Sequence, residues 1–272
     1  MPINTDAVPV DQYCEGERWC VNGEERLAET LALIAIAQQL HAAKIVRELL
    51  PTEPLFKNIN VFKAARKRIS SAGKNQKAIE QRDGLLFESI SWIAALKTTN
   101  KNALLTPPHL SSTTQGIDGL ILELDNIQPL IERATIREDK CSQTPRKIFQ
   151  AQILKTFDSH HKGERAPELV ASAAELLDKI VGDSSQAVAA AEAVLDLGSR
   201  RYRAALTIEA TDDSHDKRKS IFKDFELLSG ISQKQRLAAV FVVNGSLRPY
   251  FEDLSQRVIA VIDNWEAKGN NV

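Results

Sequence analysis

No stretch of this chain is long and apolar enough to span a bilayer: its longest apolar runs, residues 31–37 and 237–243, fall far below the roughly 20 residues a membrane helix requires. The N-terminus, Met1-Pro2-Ile3-Asn4-Thr5-Asp6, lacks the basic segment and apolar core of a secretory leader, which predicts a cytoplasmic protein. Cysteine is scarce. Cys14, Cys20 and Cys141 make neither an even framework nor a Cys-x-x-Cys pair, so free thiols in a reducing compartment are expected. There is no excess of either charge: 35 Lys and Arg stand against 36 Asp and Glu, for a formal net charge of −1. That argues against a domain holding nucleic acid by bulk electrostatics. No GxxxxGK[ST] loop is present, which excludes ATP hydrolysis by this route. Internal repeats and low-complexity tracts are absent as well, so wholesale disorder is not expected.

What remains is ordinary in bulk and uneven in detail. At 272 residues, 43% apolar and 26% charged, the chain can bury a full core, and one α/β domain with appended elements is expected. Residues 1–23 contain Pro2, Pro9, Gly16 and Gly23 without periodicity and read as an extended arm. Residues 24–50 keep helical spacing in Leu27, Leu31, Ile34, Ala35, Leu40, Ile45 and Leu49, until Pro51 and Pro54 stop the helix. A basic helix is expected over residues 59–71. Residues 1–73 thus form an arm and helical cap, and residues 74–272 the main domain. Between 57 and 82 lie Lys57, Lys63, Arg66, Lys67, Arg68, Lys74, Lys77 and Arg82, with Glu80 the one acid. This window is either a solvated helix face or a strip that contacts phosphates.

The main domain begins with one helix, or two broken near Asp83-Gly84, over residues 74–96. A short strand at 103–106, a strand at 116–124 and a strand at 131–140 follow, the last two joined by a turn at Asp125-Asn126. Helices are expected at 146–157, 166–181, 184–197, 217–228 and 246–267, and further strands at 202–210 and 236–243. The last strand, Leu-Ala-Ala-Val-Phe-Val-Val, is apolar enough to be buried on both faces.

The chemistry centres on Glu138-Asp139-Lys140. Alternate side chains share a face of a strand, so Glu138 and Lys140 project together, and Asp118 on a neighbouring strand can meet them. An acidic pair beside a fixed ammonium is what metal-dependent phosphodiester hydrolysis needs. Acid-x-Lys triplets are cheap, and the chain holds one other, Glu266-Ala267-Lys268. That copy ends a helix, where positions i and i+2 do not face each other. The Glu138 copy instead follows an upstream strand Asp and a helix bearing Glu88.

Helix with Glu88, strand with Asp118, strand with Glu138-x-Lys140, then helix: this order resembles the PD-(D/E)xK nuclease superfamily, whose minimal fold is αβββαβ. The likeness covers residues 75–160 and extends toward the strand at 202–210. It implies a restriction-endonuclease-like core, a mixed central sheet flanked by helices, with the N-terminal helical cap outside it. It further implies that Asp118 and Glu138 bind Mg²⁺ (or Mn²⁺), that Glu88 adds an outer or direct ligand, and that Lys140 positions or activates the attacking water. These roles suit the ion, because Mg²⁺ takes few carboxylates and keeps several waters. Two departures are visible: Ile117 stands where Pro is the pattern, and Asp139 where an apolar residue is usual.

At a finer level, Asp83-Gly-Leu-Leu-Phe-Glu88, Gly116-Ile-Asp118 and Glu138-x-Lys140, with the chain length and the cap, resemble the HamA family, nuclease subunits of the Hachiman antiphage defence system. The resemblance implies action on DNA under the control of a HamB-like ATP-dependent helicase. Two other readings remain open, a noncatalytic helicase-docking subunit with a nuclease-like fold and a standalone restriction-type endonuclease. Among minor candidates, Asp212, Asp213, His215 and Asp216 gather metal-friendly groups in a loop, Glu209 sits on a strand near the centre, and His160-His161 end a helix. Gln143, Gln150 and Gln152 follow the Lys140 strand and are candidate DNA contacts.

Overall fold

The computed structural model describes residues 1–73, 75–110, 118–125 and 130–269. Lys74, Gly116, Ile117 and Asn126, named above in a basic strip, a strand start and a turn, lie outside the described residues. The elements run β1 (Ile3–Val8), β2 (Glu15–Val21), α1 (Glu24–Ala35), α2 (Gln39–Glu48), α3 (Ile59–Ile69), α4 (Gln76–Thr98), β3 (Leu104–Leu105), β4 (Gly119–Leu124) and β5 (Ile131–Lys140). They continue with α5 (Pro145–Ile148), a π turn (Phe149–Ile153), α6 (Leu154–His161), α7 (Ala166–Val181), α8 (Ser184–Ala191), β6 (Arg200–Glu209), α9 (His215–Ile221), β7 (Arg236–Val243) and α10 (Leu247–Gly269).

The strands make one mixed sheet in the order β1-β2-β7-β6-β5-β4-β3. Its centre, β2, β7, β6 and β5, is parallel, while β1 pairs with β2 and β3 and β4 with β5 in antiparallel fashion. The chain is therefore α/β, with helices on both faces. One face is covered by α1, α2, α3, α4 and α10, which close over Trp19, Ala205, Ala239, Phe241 and Val243. The other is covered by α5 to α9, whose Phe149, Phe157, Leu169, Leu177 and Phe222 pack on Ile136, Ala204, Leu206, Ala238 and Val240. Alternation along β6 and β7 feeds both layers, which is why β7 reads as a continuous apolar run.

Residues 1–21 are not a free arm. They form a hairpin whose second strand lies parallel to β7, with Glu15 opposite Leu237 and Trp19 opposite Phe241. Trp19 is fully buried, in the same core as the cap helices. The expected helix over 24–50 is two helices, because Ala37 takes a left-handed backbone (φ 63°) that ends α1. In α4 the opposite holds: the helix runs unbroken through Gly84, opened by Asn75, whose side chain accepts from the Ala78 N–H at 3.0 Å. The bounds of α7 and β7 match the sequence pattern; in α7 Pro167 opens the first turn and Gly182 closes the helix in the left-handed conformation. Among the described residues no helix is long and apolar enough to cross a membrane.

Candidate active site

Strand register assembles the predicted centre. Gly119 of β4 faces Arg137 of β5, so Asp118, one residue before Gly119, arrives level with Glu138. Period-2 alternation puts Glu138 and Lys140 on one face. The Lys140 ammonium donates to Asp118 Oδ2 and pairs with Glu138 Oε2 at 3.0 Å. The backbone N–H of Asp139 donates to the same Asp118 oxygen at 3.3 Å. Asp118, Glu138 and Lys140 are thus brought together as the sequence predicts.

Their electrostatics follow from burial. The Glu138 side chain is 4% exposed, and its carboxyl is pushed up to about 8 by burial first and by the Asp118 charge second, against the pull of Lys140. Burial works against the Lys140 ammonium too, but the facing Glu138 and Asp118 carboxylates more than offset it and raise its pKa. Asp118 and Lys140 are about a quarter exposed and open onto a cleft of about 350 Å³ lined also by Glu80, Gln81, Glu88, Ile148, Gln152 and Arg248.

Glu88 enters this cleft from α4 but is turned to another partner. Its Oε1 accepts from the backbone N–H of His109 and contacts His109 Nδ1, both at 2.8 Å. Through that bond above all, the imidazole pKa is raised. Among the described residues no three His, Cys, Asp or Glu side chains stand close enough together to hold a metal ion. The donor set around Lys140 nonetheless suits a hard divalent cation: Asp118 and Glu138 bring carboxylate oxygens to one point beside an open cleft that leaves room for waters.

Asp139, the unusual middle residue, points to the opposite face and is fully buried. Ser91 of α4 donates to its Oδ1 at 2.7 Å, Arg137 Nη1 donates to its Oδ2 at 3.3 Å, and Arg203 of β6 approaches at 3.6 Å while lying over the Trp19 ring. Gly119 makes room for this cluster. A Cβ there would lie 2.0 Å from Arg137 Nη2.

The remaining candidates have structural partners. Glu209 accepts from the Leu247 N–H at 3.0 Å and caps α10. Asp213 pairs with Arg18 and Arg218, and Asp212 with Lys217; His215 and Asp216 are exposed and 3.5 Å apart. His160 is buried, while His161 contacts Tyr202 Oη and the Ser229 carbonyl. Glu266 of the decoy triplet pairs with Arg66. Gln152, inside the π turn, lines the cleft; Gln143 and Gln150 are exposed outside it. The three cysteines are free. The basic window divides: Arg66 and Arg82 are spent on Asp263, Glu266, Asp83 and Glu252, and Lys57, Lys63, Lys67 and Lys77 are exposed.

Two residues escape the sequence reading, Arg248, which lines the cleft, and His109, which holds Glu88. His109 has a weak local signal, a titratable side chain directly after Pro107-Pro108. Arg248 has none, being one Arg in the first turn of a long helix. No protein-family model matches the chain, and no curated protein matches its sequence.

Proposed function

We propose that this chain is a divalent-metal-dependent deoxyribonuclease centred on Asp118, Glu138 and Lys140. The observation that carries the reading is the meeting of two carboxylates on one ammonium at the open end of β5. The topology supports it: α4, the antiparallel meander β3-β4-β5, the helices α5 to α8 and the parallel neighbour β6 follow the αβββαβ order of PD-(D/E)xK nucleases.

In this reading Asp118 and Glu138 hold the cation. The chemistry that Mg²⁺ or Mn²⁺ supplies in such a site is acidification of water and compensation of charge on phosphoryl oxygens. Lys140, fixed between the two acids, sets a positive charge beside the attacking water and the charge developing on the phosphate. Asp139 holds the geometry from behind, its backbone on Asp118 and its side chain on α4 and β6. Glu88 acts through His109, keeping the loop after β3 against the cleft. A net charge of −1 and the lack of an ATP-binding loop fit a bacterial antiphage effector whose DNA affinity and control come from a HamB-like ATP-dependent helicase.

Incubation of plasmid DNA with Mg²⁺ and the chain freed of any helicase tests the centre. Cleavage should be abolished by EDTA and by Glu138→Ala with Lys140→Ala. A double variant that nicks as fast as the parent overturns the assignment.

A further inference from the structure

The cleft is acidic. Glu80, Glu88 and Asp118 bring carboxylates to its lining, and its cations among the described residues are Lys140 and Arg248. Lys140 is committed to Asp118 and Glu138. A polyanion entering this cleft therefore needs a second cation, and Arg248 is built to be one.

Arg248 stands in the first turn of α10 and reaches across to α4. Its Nη1 donates to Asp83 Oδ2, a carboxylate with no exposure, whose other oxygen is held by Nε and Nη2 of the buried Arg82. Arg82 in turn is locked by Glu252 and Ser255. The two arginines on Asp83 have opposite fates. Arg82 is 1% exposed and spends its guanidinium inside the protein; the Arg248 side chain is 21% exposed and lines the cleft. Among the described residues its Nη2 has one long approach, Glu80 Oε1 at 3.7 Å, beyond hydrogen-bond reach. The guanidinium also lies within electrostatic reach of Cys141, the residue after Lys140. Nη1 is thus anchored on a buried acid, Nε is buried without a hydrogen-bond partner among the described residues, and Nη2 is the nitrogen left toward the space beside the catalytic strand.

We propose that Arg248 is a substrate-binding residue, whose Nη2 donates to a backbone phosphate of the nucleic acid next to the one being cleaved. The proposal rests on the hydrolase reading of the cleft. A guanidinium is suited to the task because its N–H donors stay charged and make charge-assisted bonds to phosphate oxygens, and because pre-anchoring on Asp83 lowers the entropy cost of ordering a long side chain on binding.

The test is steady-state cleavage of a short labelled duplex with Mg²⁺ by the full chain, alongside fluorescence anisotropy of the same duplex across a salt series. Loss of one charge-assisted contact predicts that Arg248→Gln raises KM about 10- to 100-fold with kcat changed less than about threefold. The slope of log affinity against log salt should fall by about one, as expected for one phosphate contact. Arg248→Lys should restore the salt slope and only part of the KM. If Arg248→Gln lowers the melting temperature while KM and salt slope stay at parental values, Arg248 is a staple between α4 and α10 and the proposal is overturned. Loss of cleavage in Glu138→Ala with Lys140→Ala, together with parental KM in Arg248→Gln, sinks this assignment and spares the centre. A parent chain that neither cleaves nor binds the duplex sinks both.

Discussion

The backbone N–H of Asp139 donates to Asp118 Oδ2 at 3.3 Å, while the Asp139 side chain is buried on the far side of the sheet. One residue therefore ties the acid at the start of β4 to a cluster formed by Arg137, Arg203 and Ser91. Removing its carboxylate would leave two buried guanidinium groups without their counter-charge. Asp139→Ala is expected to cost about 3–5 kcal/mol, the scale for breaking a buried ion pair by deleting one partner. Asp139→Asn, which keeps the shape and an acceptor, should cost less. Urea denaturation of the two variants measures both, and equal, small losses would show that the cluster does not hold β5.

Gly119 is expected to be intolerant. Ala at this position places a methyl group against the Arg137 guanidinium, which is fully buried and would have to shift away from Asp139. Overpacking of this kind costs about 1–3 kcal/mol. Because Asp118 is the preceding residue, cleavage should fall together with stability. A Gly119→Ala protein with parental melting temperature and rate would mean that Arg137 relaxes freely.

Metal affinity should depend on pH through Glu138. Its pKa is raised to about 8 by burial and by Asp118, so below that pH a proton occupies the carboxylate a cation needs. The Mg²⁺ concentration giving half-maximal cleavage should fall as pH rises toward about 8 and then level off. A Mg²⁺ requirement independent of pH between 6 and 8 would contradict this role for Glu138 (the window follows from the raised carboxyl).

Stability should carry a separate pH signature from His160. The side chain is 2% exposed with both ring nitrogens unpartnered, and burial first, then Arg165, lower its pKa to about 4. A histidine so depressed stays neutral in the fold and titrates at its ordinary value in the unfolded chain. Its contribution is therefore intact above about 6.5 and is lost as pH falls toward about 4, by up to about 3 kcal/mol. His160→Phe, apolar and similar in shape, should flatten the fall in melting temperature over that range. An unchanged slope would assign the acid lability elsewhere.

What was legible in the sequence is what strict periodicity and local caps encode. The period of 2 put Glu138 and Lys140 on one face, and the Pro167 and Gly182 signals bounded α7. The N-terminal hairpin was not legible, because β1 and β2 are short, lack a clean apolar alternation and owe their place to pairing with β7, more than 200 residues on. The break at Ala37 was hidden for a similar reason: a left-handed alanine has no residue signature. Glu88 was placed correctly on α4 and near the cleft, yet its partner came from the loop after β3, a contact that spacing does not encode. The buried face of β5 held the least expected chemistry, since a run such as Arg137-Glu138-Asp139-Lys140 looks like a solvated strand until both of its sides are covered.

The parallel pairing of β2 with β7 carries a consequence for the order of assembly on the ribosome. Strands β4, β5 and β6 are close in sequence and can pair as they emerge, whereas Glu15 must wait for Leu237. Contacts of such high contact order form late and slowly. Until they do, Trp19 and the apolar faces of α1 and α3 lack the β7 surface they cover, and the nascent chain depends on protection from aggregation until β7 has emerged.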